Sequence, residues 1–277
     1  MLPNFLIIGA AKAGTTSLYH YLRSHPQAFM PARKELSFFC EEFRWQKGLD
    51  WYESQFEGAD SAVAVGEASP RYTVFPIYQG VPDRIATSIP EARLIYLVRE
   101  PIERMQSQYL DNVIHRLETT PVEDALSTNP FYLASSRYAL QLQQYLEHFR
   151  RDQILVVRSE VMGRERQRTL SHVFEFLGID PGWRTPVFEE EFLKMSGRRM
   201  PRPLFHGAWY SPFTRRVAPF LPRRLKDAFR RMTSREVDIG SANISTSFRR
   251  HLEGLLREDV KQLYDFFDEG FDGWGIA

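Results

Sequence analysis

The chain has 277 residues, 43% hydrophobic and 26% charged, and 36 lysines and arginines against 35 acids leave a net charge of +1. A chain of this length and mix can bury a sizeable core, which excludes a disordered chain, a collagen-like repeat and a disulfide scaffold. The near-balance of charge argues against nucleic acid as a general partner while leaving room for a local basic site. Cys40 is the only cysteine, so no intrachain disulfide forms and a reduced, cytoplasmic location is expected. No apolar run approaches the roughly 18 residues of a membrane span. The run Phe5–Ile8 is too short for a signal peptide, and the first residues are expected to belong to the mature protein.

In chain order, Phe5–Gly9 reads as a buried parallel strand, continuous, apolar and ended by glycine. After the loop Ala10–Thr15, Thr16–Ser24 has helical spacing and stops at His25-Pro26. Ala62–Val65 is a second short strand ending at Gly66-Glu67, and Arg93–Val98 is a third. Pro101 takes the first position of a helix running to about Leu117. Ser136–Phe149 is amphipathic, Gln153–Val157 is a fourth strand, and Glu165–Leu177 is a helix closed by Gly178. Phe248–Phe267 is a terminal helix. This alternation predicts a single α/β domain over residues 1–277, with a central parallel sheet flanked by helices. In such sheets ligands bind beyond the carboxyl ends of the strands.

The stretch Gly9-Ala-Ala-Lys12-Ala13-Gly14-Thr15-Thr16-Ser17 follows the first strand and opens a helix. Its glycines, its helix N-terminus, Lys12 and the threonine hydroxyls suit a phosphate, although the order is not that of a nucleotide triphosphatase loop. A tight turn with a solvated lysine would read the same way. The third strand ends in Arg99, where a triphosphatase commonly has a metal-binding Asp, and its helix carries Arg104 and Ser107 three apart. A cation there points to an anion, or to a surface pair with Glu100 or Glu103. Glu67, after the second strand, is placed to accept a proton or to cap and pair structurally. Two anion sites with a carboxylate between them suggest a doubly phosphorylated ligand and group transfer to a hydroxyl or amine.

These stretches resemble the sulfotransferases that use 3′-phosphoadenosine 5′-phosphosulfate (PAPS), in their heparan-type and related bacterial branch. The resemblance is carried by Phe5–Leu18, Lys34-Glu-Leu-Ser-Phe-Phe39, Gly66-Glu-Ala-Ser-Pro-Arg-Tyr72 and Leu97–Tyr109, with weaker support from Phe176-Leu-Gly178 and Ser196-Gly-Arg-Arg199. It implies a P-loop-like, nucleotide-kinase-like three-layer fold. It also implies that Lys12–Ser17 hold the 5′-phosphosulfate, and that Arg99 and Ser107 hold the 3′-phosphate. Gly197 and Arg198 would close on the nucleotide, Glu67 would act as base, and Lys34 would approach the sulfuryl group, with no metal needed. Two departures stand out. Ala11 takes a position where the family often has Pro, and the cysteine pair of secreted-pathway relatives is missing.

Residues 196–235 hold eleven lysines and arginines against one acid, Asp227, broken by prolines and interspersed with aromatics. A lid over about 196–240 for an anionic acceptor, a membrane-surface patch and a solvated insertion all fit that composition. His115 and His206 could assist at the acceptor. Small-molecule, carbohydrate and carrier-bound acceptors remain open, as do a catalytically silent scaffold and a P-loop kinase.

Overall fold

The structure is a computed structural model that describes residues 1–190, 192, 199–201, 232–267 and 270–277. Five parallel strands form one sheet in the order β2-β3-β1-β4-β5. They are β1 (Phe5–Gly9), β2 (Ala28–Phe29), β3 (Ala64–Ala68), β4 (Arg93–Val98) and β5 (Ile154–Arg158). β1 is central, with Leu6 opposite Glu67 on β3 and Leu94 on β4. Every residue of β1 and β3 is buried, as expected for a parallel sheet covered on both faces. The chain passes from β1 to the β2 edge, returns through β3 and crosses to β4. The strand order therefore reverses at β1, which places the ligand crevice at its tip.

The helices around the sheet include α1 (Thr15–Arg23), α2 (Gly48–Ser54), α3 (Val81–Ser88), α4 (Pro101–Ile114), α5 (Val122–Thr128), α6 (Pro130–Ala134) and α7 (Tyr138–Leu146). α8 (Ser159–Arg164), α9 (Arg166–Leu177) and α10 (Thr246–Gln262) complete those used below. Helix ends follow local chemistry. The Glu100 carboxylate accepts from the Glu103 N–H with Pro101 at the first turn, and Gly178 closes α9 at φ 73°. The Asp259 carboxylate of α10 accepts from the N–H groups of Ala139 and Leu140 at 3.0 and 2.9 Å, which caps α7 and docks the C-terminal helix.

The expected single α/β fold with a P-loop-like sheet is the fold observed. The second predicted strand is displaced: it runs Ala64–Ala68 rather than Ala62–Val65, so Gly66 and Glu67 lie inside it. Gly66 is not a strand terminator, because the Phe5 ring occupies the space where its Cβ would be, 2.5 Å away. β6 (Arg199–Pro201) and β7 (Ser234–Glu236) form a separate antiparallel ladder.

A Cβ on Gly9 would overlap Thr73 Oγ1 and come within 2.9 Å of the Tyr96 ring. Gly9→Ala is therefore expected to cost about 1–3 kcal/mol by overpacking. Equilibrium unfolding checks this, and wild-type stability would refute the close approach.

Candidate active site

A cleft of about 1340 Å³ opens at the carboxyl ends of β1, β3 and β4. Drug-sized pockets run to roughly 1,000 Å³, so there is room for more than one small ligand. Its floor is the turn from β1 into α1. Gly14 caps that helix at φ 96°, a left-handed conformation that glycine adopts without strain, and no side chain caps the helix. Its first turn holds no acid, and the first-turn residues Thr15, Thr16 and Ser17 line the cleft. An uncapped helix N-terminus of this kind has the chemistry of an anion site.

Lys12 shares the cleft with this helix end, its Nζ 3.1 Å from Asp111 Oδ1 of α4. Ala13 is buried beneath the loop. Arg99, at the tip of β4, and Ser107, on α4, also line the cleft. Arg99 donates to Glu103 Oε2 at 2.8 Å, so the surface pair and the cleft position coincide in one residue. Arg104 is not part of this wall. It is fully buried and donates to Ser136 Oγ and the Tyr132 carbonyl, each at 2.6 Å, and to Gln108 Oε1. Its three-residue spacing from Ser107 carries no ligand role.

Lys34 and Glu35 line the cleft as well. Lys34 Nζ lies 3.0 Å from Glu35 Oε1, and Arg71 reaches Glu35 Oε2 at 3.5 Å. The Glu35 side chain is 44% exposed and lines the cleft. Glu67 is 1% exposed and does not line it. Ser69, Tyr72 and Tyr52 donate to its carboxylate at 2.6, 2.5 and 3.5 Å. The expectation that Glu67 meets an acceptor is corrected by this enclosure: no face of its carboxylate opens to the cleft. Periodicity does not single out Glu35, whose place follows from a backbone at φ 60° in an irregular loop. The sequence signal for it is its position beside Lys34 in the Lys-Glu stretch. His115 lies on the cleft wall, whereas Gly197, Arg198 and His206 lie outside the described residues, as does most of the basic 196–235 stretch.

Fold and cleft together define a P-loop-like α/β domain with its ligand site at the strand tips. The chain belongs to the sulfotransferase domain family, a class of transferases, which it matches over residues 2–200. It is 36% identical over 127 residues to the membrane-associated sulfotransferase kil1 of Dictyostelium discoideum, covering 44% of this chain and 26% of that protein. It is 29% identical over 192 residues to human heparan sulfate glucosamine 3-O-sulfotransferase 5, covering 65% and 54%. The chain thus spans about half or less of the length of these curated relatives. The crystal structure of a sulfotransferase from Alicyclobacillus acidocaldarius superposes with TM-score 0.73 over 99% of both chains at 23% identity, which speaks to the fold.

The relative named as membrane-associated overturns the cytoplasmic expectation. A lone cysteine limits disulfides and does not fix a compartment. Cys40 is buried, which pushes its thiol up to about 12. Among the described residues no helix is long and apolar enough to cross a membrane.

Burial raises the Glu67 carboxyl from 4.5 to about 7, against the opposing hydrogen bonds from Ser69 and Tyr72. The folded chain therefore holds a proton that the unfolded chain has released between those values. The contribution of Glu67 to stability is full below pH 4.5 and declines as pH rises through 7. Thermal unfolding from pH 5 to pH 8 is expected to show the wild type losing stability relative to Glu67→Gln by on the order of 3 kcal/mol at most. Parallel curves would refute the shift.

Proposed function

We propose that this domain transfers a sulfuryl group from PAPS to a hydroxyl or amine of a small-molecule, carbohydrate or carrier-bound acceptor. The observation that carries this reading is one cleft lined both by an uncapped helix N-terminus with Lys12 and by Glu35 with Lys34. The donor's chemistry is a sulfur centre bound to a phosphate leaving group. The α1 N–H groups, Lys12, and the hydroxyls of Thr15, Thr16 and Ser17 would hold the 5′-phosphosulfate and stabilise charge on its departing oxygen. Arg99 and Ser107 would hold the 3′-phosphate, with Arg99 exchanging Glu103 for it.

Glu35 replaces Glu67 as the residue proposed to take the acceptor's proton, because its carboxylate reaches the cleft. Lys34 would approach the transferring group from the same wall. Acceptor attack on sulfur in line with the leaving oxygen forms one S–O or S–N bond as the other S–O bond breaks, and the acceptor's proton passes to Glu35. Residues 1–277 would form one domain, with 196–240 as a lid that includes Gly197 and Arg198. The pairing of β6 with β7 brings the two ends of the intervening residues together, in keeping with that reading.

Lys12→Ala is expected to lower turnover about 10²–10³-fold and Glu35→Gln about 10²–10⁴-fold, with the fold retained by circular dichroism. Transfer of ³⁵S from labelled PAPS into a panel of acceptors checks both, and wild-type turnover in either variant would reject its role. Arg99→Ala is expected to weaken binding of 3′-phosphoadenosine 5′-phosphate (PAP) by about tenfold or more while sparing adenosine 5′-phosphate. Calorimetric titration decides this, and equal losses for the two nucleotides would contradict the 3′-phosphate assignment.

A further inference from the structure

The segment Glu35–Phe38 carries two non-glycine residues in the left-handed region, Glu35 at φ 60° and Ser37 at φ 47°. Such residues persist only where their surroundings hold them. The Ser37 hydroxyl is buried and makes no hydrogen bond, so no local side-chain turn holds the segment. Its backbone groups are instead taken up from outside. The Glu35 N–H donates to the Ala68 carbonyl at 3.1 Å, at the end of β3. Arg44 Nη1 donates to the carbonyls of Glu35 and Leu36. The Ser37 N–H donates to Ser69 Oγ at 2.8 Å and the Phe38 N–H to the Tyr72 hydroxyl at 2.9 Å.

The direction of these last two bonds is fixed, because a backbone N–H only donates. Ser69 and Tyr72 spend an acceptor site on the segment, and their own protons go to the two oxygens of Glu67. One buried carboxylate thus terminates two relays, Ser37 N–H to Ser69 to Glu67 and Phe38 N–H to Tyr72 to Glu67. Once ionised, as pH rises above about 7, the carboxylate accepts at both oxygens and completes them. An amide at position 67 would present an N–H to one hydroxyl and break one relay.

Building on the proposed role of Glu35 as base, we infer that Glu67 is a positioning residue which, through Ser69 and Tyr72, clamps the segment that carries Glu35 and Lys34 into the cleft. It never touches the acceptor. The relays act on the acceptor side alone, since the α1 end and Arg99 take no part in them.

Ser69→Ala and Tyr72→Phe remove one hydroxyl each with little change of shape, and they accompany Glu67→Gln. In native-state hydrogen exchange, Ser69→Ala is expected to raise exchange at the Ser37 amide, and Tyr72→Phe at the Phe38 amide, by about tenfold or more. In turnover assays each variant is expected to lower kcat about tenfold, with PAP affinity within about twofold of wild type. The deciding measurement is a double-mutant cycle. In a Lys34→Ala/Glu35→Gln background Ser69→Ala should change kcat less than about twofold, because it acts through those two side chains. A full tenfold loss in that background, or unchanged exchange at both amides, overturns the inference alone. Wild-type turnover in Glu35→Gln overturns the reading of Glu35 as base and the positioning role with it. Both the exchange effect and the vanishing second loss are required to sustain it.

Discussion

Parallel pairing of β1 with both β3 and β4 is the constraint on which the site depends. Parallel strands deliver their carboxyl ends to the same edge, so one sheet brings together the turn after Gly9, the residues after Ala68 and the Arg99 corner after Val98. These groups are far apart in sequence, and no local interaction would gather them. The register matters as well as the direction. With Leu6 opposite Glu67, the acid sits two residues short of Ser69, and Ser69 N–H donates to the Ile7 carbonyl at 3.0 Å. This extension of the ladder fixes the hydroxyl that reaches the Glu35 segment.

Two ionisable side chains, Arg104 and Glu67, are buried beside the cleft, and neither lines it. Arg104 gives its donors to carbonyls and hydroxyls, tying α4 to the Tyr132–Ser136 region and to the Ala11 carbonyl of the α1 loop. Glu67 accepts from three hydroxyls. A buried charge is tolerated when hydrogen bonds replace its water, and removing such bonds costs more than forming them gains. Both residues therefore bind neighbouring loops to the core. The cleft charges, Lys12, Lys34, Arg71 and Arg99, keep contact with solvent and face carboxylates that a bound anion can displace.

The sequence made the sheet centre legible because β1 and β4 are continuous apolar runs whose burial leaves no alternation to mistake. It hid β2, which has two residues, and it displaced β3, because a glycine within a strand reads as a strand end until its neighbour's ring is seen. The glycine loop and Arg99 could be read from the strand-tip rule alone. Helical spacing puts Arg104 on one face with Ser107 without saying which part of that face is buried. A strand ending at Gly66 would put Glu67 at the sheet's edge, where a base belongs. One turn of context reverses the reading: inside β3 the carboxylate enters the core, and the acid that reaches the cleft stands thirty-two positions earlier, at Glu35.

The two walls of the cleft solve the same backbone problem by different means. Lys12 at φ 69° and Gly14 at φ 96° alternate in the first loop as Glu35 and Ser37 do in the second. In the first loop one of the two is glycine, and its neighbours bond locally: Ala13 N–H donates to the Ala10 carbonyl and Leu18 N–H to the Gly14 carbonyl. That loop is supported by its own helix. The second has no glycine and no helix of its own, so its conformation is held by β3 and Arg44. The geometry of the first loop therefore follows from local sequence, while that of the Lys34–Glu35 loop follows from hydrogen bonds to residues about thirty positions away. The Lys34–Glu35 wall is accordingly the part of this cleft that distant core substitutions can retune without disturbing the α1 end.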